Sequence, residues 1–91
     1  MALLDLLGRR WTLRIVWELR DGPLTSRALR VACDDSSPTV LQARLDELRE
    51  AGLVELQEGV GYSLTPLGHE MRAAFNPLYR FAERWAASKQ S

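Results

Sequence analysis

Cysteine, histidine and lysine each occur once in these 91 residues, and each scarcity removes a class of chemistry. One cysteine, Cys33, can form neither an intramolecular disulfide nor a zinc cluster, so no covalent or metal staple is expected and a reducing cytoplasm is the natural home. One histidine, His69, has no serine, cysteine or second histidine in a motif relation to it and reads as a surface residue. With no glycine-rich phosphate loop, metal-ligand spacing or nucleophile motif, the chain does not read as an enzyme, and no cofactor or metal is expected. Long apolar runs are missing too. Ala2 to Leu7 is too short for a signal-peptide core, its arginines follow rather than precede it, and nothing approaches bilayer length, so no membrane role is expected. There is no internal repeat, low-complexity tract or linker. Net charge is absent, twelve basic residues balancing twelve acidic ones. The total therefore advertises no nucleic-acid affinity, although a neutral sum leaves room for a basic face. Eleven of the twelve basic residues are arginine, which suits bidentate contacts to phosphate or carboxylate but follows equally from the base composition of a genome.

What is present is a 46% hydrophobic composition, enough for one core, so residues 1–91 are expected to form a single domain. The most legible stretch is SSPTVLQARLDELREAGLV, Ser36 to Val54. Ser37 is placed as an N-cap whose hydroxyl accepts from a first-turn amide, and Pro38 fits N1, where its missing N–H costs nothing. Leu41, Leu45 and Leu48 form one apolar seam, and Gly52 after Ala51 is placed to close the helix. A rotation of about 100° per residue sets Thr39 and Ala43 opposite the seam, Gln42 and Arg49 on one border and Arg44 on the other. The outer face of the first two turns is small, polar and uncharged, whereas Asp46, Glu47 and Glu50 further on would be repelled by a phosphate backbone. Only the N-terminal half suits a groove of DNA, the polarity of the second helix in a helix-turn-helix. An amphipathic core helix with a solvated face fits the same pattern, so context decides.

Before this stretch, Ala2 to Leu7 is a short helical turn ended by Gly8. Trp11 to Leu19 follows as a core helix, with Trp11, Ile15, Leu19 and Val16 inward and Arg14 and Glu18 on the wetter side. Trp11 and Trp17 read as packing residues. Asp21-Gly22-Pro23 is a turn, Leu24-Thr25 a brief strand, and Thr25 or Ser26 caps a helix to about Ala32 that holds Leu29 inward with Ala28 or Ala32, and Arg27 and Arg30 outward. After Gly52, Leu53 to Gln57 alternates in and out, Glu58 to Gly61 reverses, and Tyr62 to Leu64 returns as a hairpin. Thr65-Pro66 repeats the cap-plus-proline signature and starts a helix through Leu67, Met71 and Phe75 that breaks near Pro77 and resumes toward Trp85. The fold class is mainly α with one small β-hairpin.

Four motifs in register, LLGRRW (Leu6 to Trp11), DGPL (Asp21 to Leu24), SPTVLQARLDELREAGLV and YSLTPLG (Tyr62 to Gly68), carry a resemblance to the HxlR-type winged helix-turn-helix regulators, within the wider MarR-like group. The resemblance implies a three-helical core plus wing, with N- and C-terminal helices (1–7 and 66–88) for dimerisation. It also implies a homodimer that binds a pseudo-palindromic site on double-stranded DNA. Carried over by position, Ser37, Thr39, Gln42 and Ala43 would face bases, with Arg44 near base or phosphate. Gln42 can pair bidentately with adenine, and Ala43 or the Thr39 methyl can touch thymine. Arg9, Arg10, Arg27 and Arg30 are the candidate phosphate contacts, set against plain surface charge. Leu3, Leu4, Leu7, Phe75, Leu78, Phe81 and Trp85 are the candidate dimer contacts, the last-helix stripe exceeding what so small a core needs.

Departures from the family pattern qualify this. The cysteine that many members carry before the first helix has no counterpart, Thr39 replaces an early basic residue, and Ser26-Arg27-Ala28 replaces an aromatic-acidic signature. Glu58 stands at the tip of the wing without a basic residue. A winged-helix interaction module with weak or lost DNA binding is therefore the main rival. A redox or small-molecule sensor is the third reading, motivated by the aromatic helices and by Cys33, whose thiolate Arg30 would favour and Asp34 and Asp35 oppose; an inert buried thiol is the plainer account. Asp34-Asp35 lacks the spaced oxygens of a cation site and reads as solvated. No small-molecule effector is specified.

Overall fold

The computed structural model describes residues 2–34 and 37–89. In chain order it holds α1 (Ala2–Leu7), α2 (Thr12–Glu18), α3 (Ser26–Ala32), α4 (Pro38–Glu50), β1 (Val54–Gln57), β2 (Gly61–Leu64), α5 (Pro66–Ala74) and α6 (Asn76–Lys89). The strands pair antiparallel from Val54 opposite Leu64 to Gln57 opposite Gly61. The brief strand at Leu24 is a single bridge: Leu24 N–H donates to the Tyr62 carbonyl at 2.9 Å and Tyr62 N–H returns to the Leu24 carbonyl at 2.8 Å. The protein is mostly helical with one hairpin, as its periodicities imply. Ile15, Val16 and Leu19 of α2, Leu29 of α3, Leu41, Leu45 and Leu48 of α4, and Leu53, Val54, Tyr62, Leu64 and Met71 beyond it form one buried cluster.

Several local expectations need correction. Trp11 is not the first residue of α2 but its N-cap, at φ 74°, a left-handed conformation uncommon for a residue with a Cβ. The helix thus starts one residue late, Trp11 is only half-buried, and Thr12 takes the fully buried place, its hydroxyl without a hydrogen-bond partner among the described residues. Ser37 occupies the N-cap of α4, yet its hydroxyl makes no capping hydrogen bond; Pro38 at N1 starts the helix through fixed φ. The in-out alternation of β1 ends at Val54, because Leu56 lies beyond the edge of the core and is exposed. The break in the last helical region falls at Phe75, and Pro77 sits inside the first turn of α6, where proline is tolerated. Asp35 and Ser36, with the end of the polar tail, lie outside the described residues.

The C-terminal end of α4 is the most heavily constrained point. Ala51 is the C-cap and Gly52 follows it at φ 78°. Leu53 N–H donates to the Leu48 carbonyl and Gly52 N–H to the Arg49 carbonyl, both at 3.0 Å, the paired bonds of a Schellman closure, with Leu48 and Leu53 both buried. Thr65 then ties α5 to this turn. Its hydroxyl donates to the Gly52 carbonyl at 2.7 Å and accepts from Gly68 N–H at 3.0 Å, while its own N–H donates to the Leu53 carbonyl at 3.1 Å. A Cβ at Gly68 would run into the Leu53 carbonyl oxygen. Gly68→Ala is therefore expected to destabilise by about 1–3 kcal/mol through overpacking. Thr65→Val should cost about 1 kcal/mol through the lost cap. Both are read as lowered urea midpoints.

Candidate nucleic-acid interface

Fixing the far end of α4 leaves its near end free. Ser37, Pro38, Thr39 and Gln42 are exposed and Ala43 is half-buried. Opposite them α3 presents Arg27 and Arg30, both exposed and without an ion-pair partner among the described residues. Thr25 caps α3 by accepting from Ala28 N–H at 3.1 Å, and fully buried Leu29 turns the two arginines outward. Between the helices lies an open cleft of about 460 Å³ lined by Ser26, Arg27, Arg30, Pro38, Leu41 and Gln42. The N-terminal dipole of α4 adds partial positive charge there.

The other candidate cations lie elsewhere. Arg9 and Arg44 converge on Glu47, with Arg9 Nε 3.0 Å from one carboxylate oxygen and Arg44 Nε 3.1 Å from the other, the latter an ion pair without hydrogen-bond geometry. Arg9 thus lines a cavity beside α1 with Glu47 and Glu50 and is not brought together with Arg27 and Arg30. Arg10 is exposed, its guanidinium 5.5 Å from the centre of the Trp11 ring. Gln42 is held: its amide nitrogen donates to Asp46 Oδ1 at 2.9 Å and to Tyr62 Oη at 3.3 Å. Sequence reasoning missed that link, because nothing in the helical period says that a strand residue twenty positions on reaches this face.

Of the candidate dimer residues, Leu3, Leu4, Leu78, Phe81 and Trp85 are exposed, and α6 buries no residue. Leu7 and Phe75 serve the chain's own core, Leu7 buried in it and Phe75 packed against it, though both line an apolar groove of about 410 Å³ with Leu3, Leu4, Leu67 and Met71. A contact not foreseen ties α6 down: Tyr79 packs on Trp17 with ring centres 4.7 Å apart, and the Arg20 guanidinium lies 4.0 Å from the Trp17 ring centre.

Cys33 caps α3 and is fully buried. Burial pushes its thiol pKa up, Glu18 and Asp34 push the same way, and the cation that opposes them is Arg14 rather than Arg30. Arg14 pairs with Glu18 at 2.8 Å and donates to the Ala32 carbonyl at 2.7 Å, so it staples α2 to α3 while remaining exposed.

A family model for the HxlR-like helix-turn-helix matches residues 6–90. The chain belongs to that family. It is 31% identical over 87 residues to the transcriptional regulator YodB of Bacillus subtilis, covering 89% of this chain and 78% of that protein. A possible HxlR family transcriptional factor from Thermoplasma volcanium superposes with a TM-score of 0.87 at 29% identity, over 93% of this chain and 82% of that one. Quinone-bound YodB superposes with a TM-score of 0.82 at 32% identity, over 91% and 93%. This HxlR-like protein is thus a transcriptional regulator of the helix-turn-helix type, in a family of regulators rather than enzymes. No helix among the described residues is long and apolar enough to cross a membrane.

Burial of the thiol has a measurable consequence. Iodoacetamide should modify Cys33 at least about tenfold more slowly in the native chain than in urea, since the reactive thiolate is suppressed. The folded state also holds this proton more tightly than the unfolded state. Its contribution to stability is complete below the unfolded thiol's pKa of about 8.5 and is lost as pH rises from there through the folded value. Cys33→Ala should flatten that alkaline fall in Tm.

Proposed function

We propose that this HxlR-like regulator works in the cytoplasm as a homodimer that binds a pseudo-palindromic site on double-stranded DNA. The first two turns of α4 enter the major groove of each half-site, and the two α4 helices lie roughly 34–36 Å apart, one DNA turn. The observation that carries this is the cleft between α3 and α4, where Arg27 and Arg30, without an ion-pair partner among the described residues, line one wall and Gln42 the other, next to exposed, uncharged Ser37 and Thr39. The arginines position the duplex on its phosphates, and the α4 side chains meet base edges. Arg10 adds phosphate attraction, whereas Arg9 and Arg44 reach DNA only by leaving Glu47. Exposed Leu78, Phe81 and Trp85, with Leu3 and Leu4, supply the pairing surface.

Pairing of Glu47 with Arg9 and Arg44, together with Glu58 at the wing tip, favours a second reading, a winged-helix interaction module of weak duplex affinity. A salt titration separates them. DNA binding predicts an affinity that falls at least about tenfold between roughly 50 and 200 mM salt. Arg27→Ala should weaken binding to all duplexes and make the salt slope shallower by about one. No binding at low salt would leave the interaction module standing. Phe81→Glu should convert the dimer to a monomer by light scattering, and a persistent dimer would move the interface off α6.

A further inference from the structure

We infer that Gln42 reads its base as a hydrogen-bond acceptor only, recognising the exocyclic amino group of adenine or cytosine and ignoring the purine N7, with Asp46 and Tyr62 as the positioning residues that impose this; the inference rests on α4 entering the major groove.

A glutamine amide carries one accepting oxygen and one nitrogen with two hydrogens. The Asp46 carboxylate can only accept, so the Gln42 atom 2.9 Å from Asp46 Oδ1 has to be the nitrogen, and chemistry settles an orientation that geometry alone leaves open. The second N–H goes to Tyr62 Oη at 3.3 Å. Tyr62 is well placed to hold it: its ring is buried, and its backbone is bonded in both directions to Leu24 as well as paired within the hairpin. Both amide hydrogens thus have partners within the chain, and Oε1, without a partner among the described residues, is the end turned to a ligand.

The consequence is chemical. Bidentate pairing with adenine, the ordinary expectation for glutamine, needs Oε1 to accept from N6 while Nε2 donates to N7. Here the donor is occupied, one of its bonds being assisted by the Asp46 charge. An oxygen alone finds a partner in adenine N6 or cytosine N4, and is repelled by guanine O6 and N7 and by thymine O4. The wing thereby takes part in specificity through Tyr62, without touching a base.

The test uses the full chain and duplexes selected from a random library. Comparing wild type with Gln42→Ala identifies the base pair that Gln42 reads. At that pair the purine is replaced by its 7-deaza analogue, and separately the adenine or cytosine by the analogue lacking its exocyclic amino group. Each loss is measured against the same replacement with Gln42→Ala, which subtracts the effect on pairing within the DNA. Removing the amino group should cost wild type roughly fivefold or more, and removing N7 less than about twofold. Tyr62→Phe, which keeps the ring and frees one N–H, should acquire a dependence on N7, with Asp46→Ala as a second route to the same release. Dependence on N7 in the wild type, indifference to the amino group, or a Gln42→Ala profile unchanged at every position would overturn the inference while leaving DNA binding in place. Failure of the wild type to bind any duplex would instead overturn the DNA-binding reading beneath it.

Discussion

The turn at Gly52 and Leu53 is the constraint on which the rest of the molecule depends. Its backbone groups serve the elements on either side: the Gly52 and Leu53 N–H groups close α4, and the Gly52 and Leu53 carbonyls hold the start of α5. α4 ends there through the bonds to Leu48 and Arg49, β1 begins one residue later, and α5 is hung from the same carbonyls by Thr65, close enough that Gly68 has no room for a side chain. A helix anchored so firmly at its C-terminus, with a leucine seam in the core, has one orientation relative to the wing. The base reading proposed for α4 would require this, since a side chain placed an ångström away from its base edge forms no useful hydrogen bond.

Charge follows the same polarity. The acidic residues of α4 lie toward the anchored end, and Glu47 is neutralised within the chain by Arg9 from beyond α1 and Arg44 from α4 itself. The free end has no acidic residue in its first turn and faces Arg27 and Arg30, which have no ion-pair partner among the described residues. A chain with no net charge therefore distributes its charge unevenly, with acidic residues toward one end of α4 and arginines of α3 beside the other, and the sum over the sequence hides it. Residues at the free end need not carry charge themselves, because the neighbouring helix carries it for them.

How much of this the sequence discloses depends on the range of the interaction. Helix starts and stops at Pro38, Gly52, Thr65 and Pro66, and the inward leucines of α4, are local chemistry and are legible from spacing alone. The turn at Trp11 is not, because its left-handed backbone shows only once α1 packs against α2; nor is the missing Ser37 cap bond, a matter of side-chain rotation. The exposed face of α4 was legible, but the state of its side chains was not: that Gln42 is bound by Tyr62, and Arg44 by Glu47, depends on contacts that helical periodicity does not report. Tyr79 on Trp17 joins residues more than sixty positions apart. Resemblance to a family supplied roles for positions, and the geometry then separated Arg9 and Arg44, paired with Glu47, from Arg27 and Arg30, which have no ion-pair partner among the described residues.

The terminal helix shows how assembly and recognition are joined under the proposed pairing. α6 has fourteen residues, a length at which an isolated helix is marginal in water, and it places none of them in the core. Within the chain it is held by the Tyr79 ring on Trp17 and by continuity with Phe75. Leu78, Phe81 and Trp85 stay about half exposed, an apolar stripe that a second copy would cover. If the stripe is the seam, part of the helix's stability comes from the partner, and the angle of α6 on Trp17 sets the separation of the two reading helices. Arg20, whose guanidinium lies on the Trp17 ring and pairs with solvent-exposed Asp21, would then influence operator spacing without approaching DNA. Spacing and base reading would thus be governed by two tyrosines, Tyr79 through its ring on Trp17 for the first and Tyr62 through its hydroxyl on the Gln42 amide for the second.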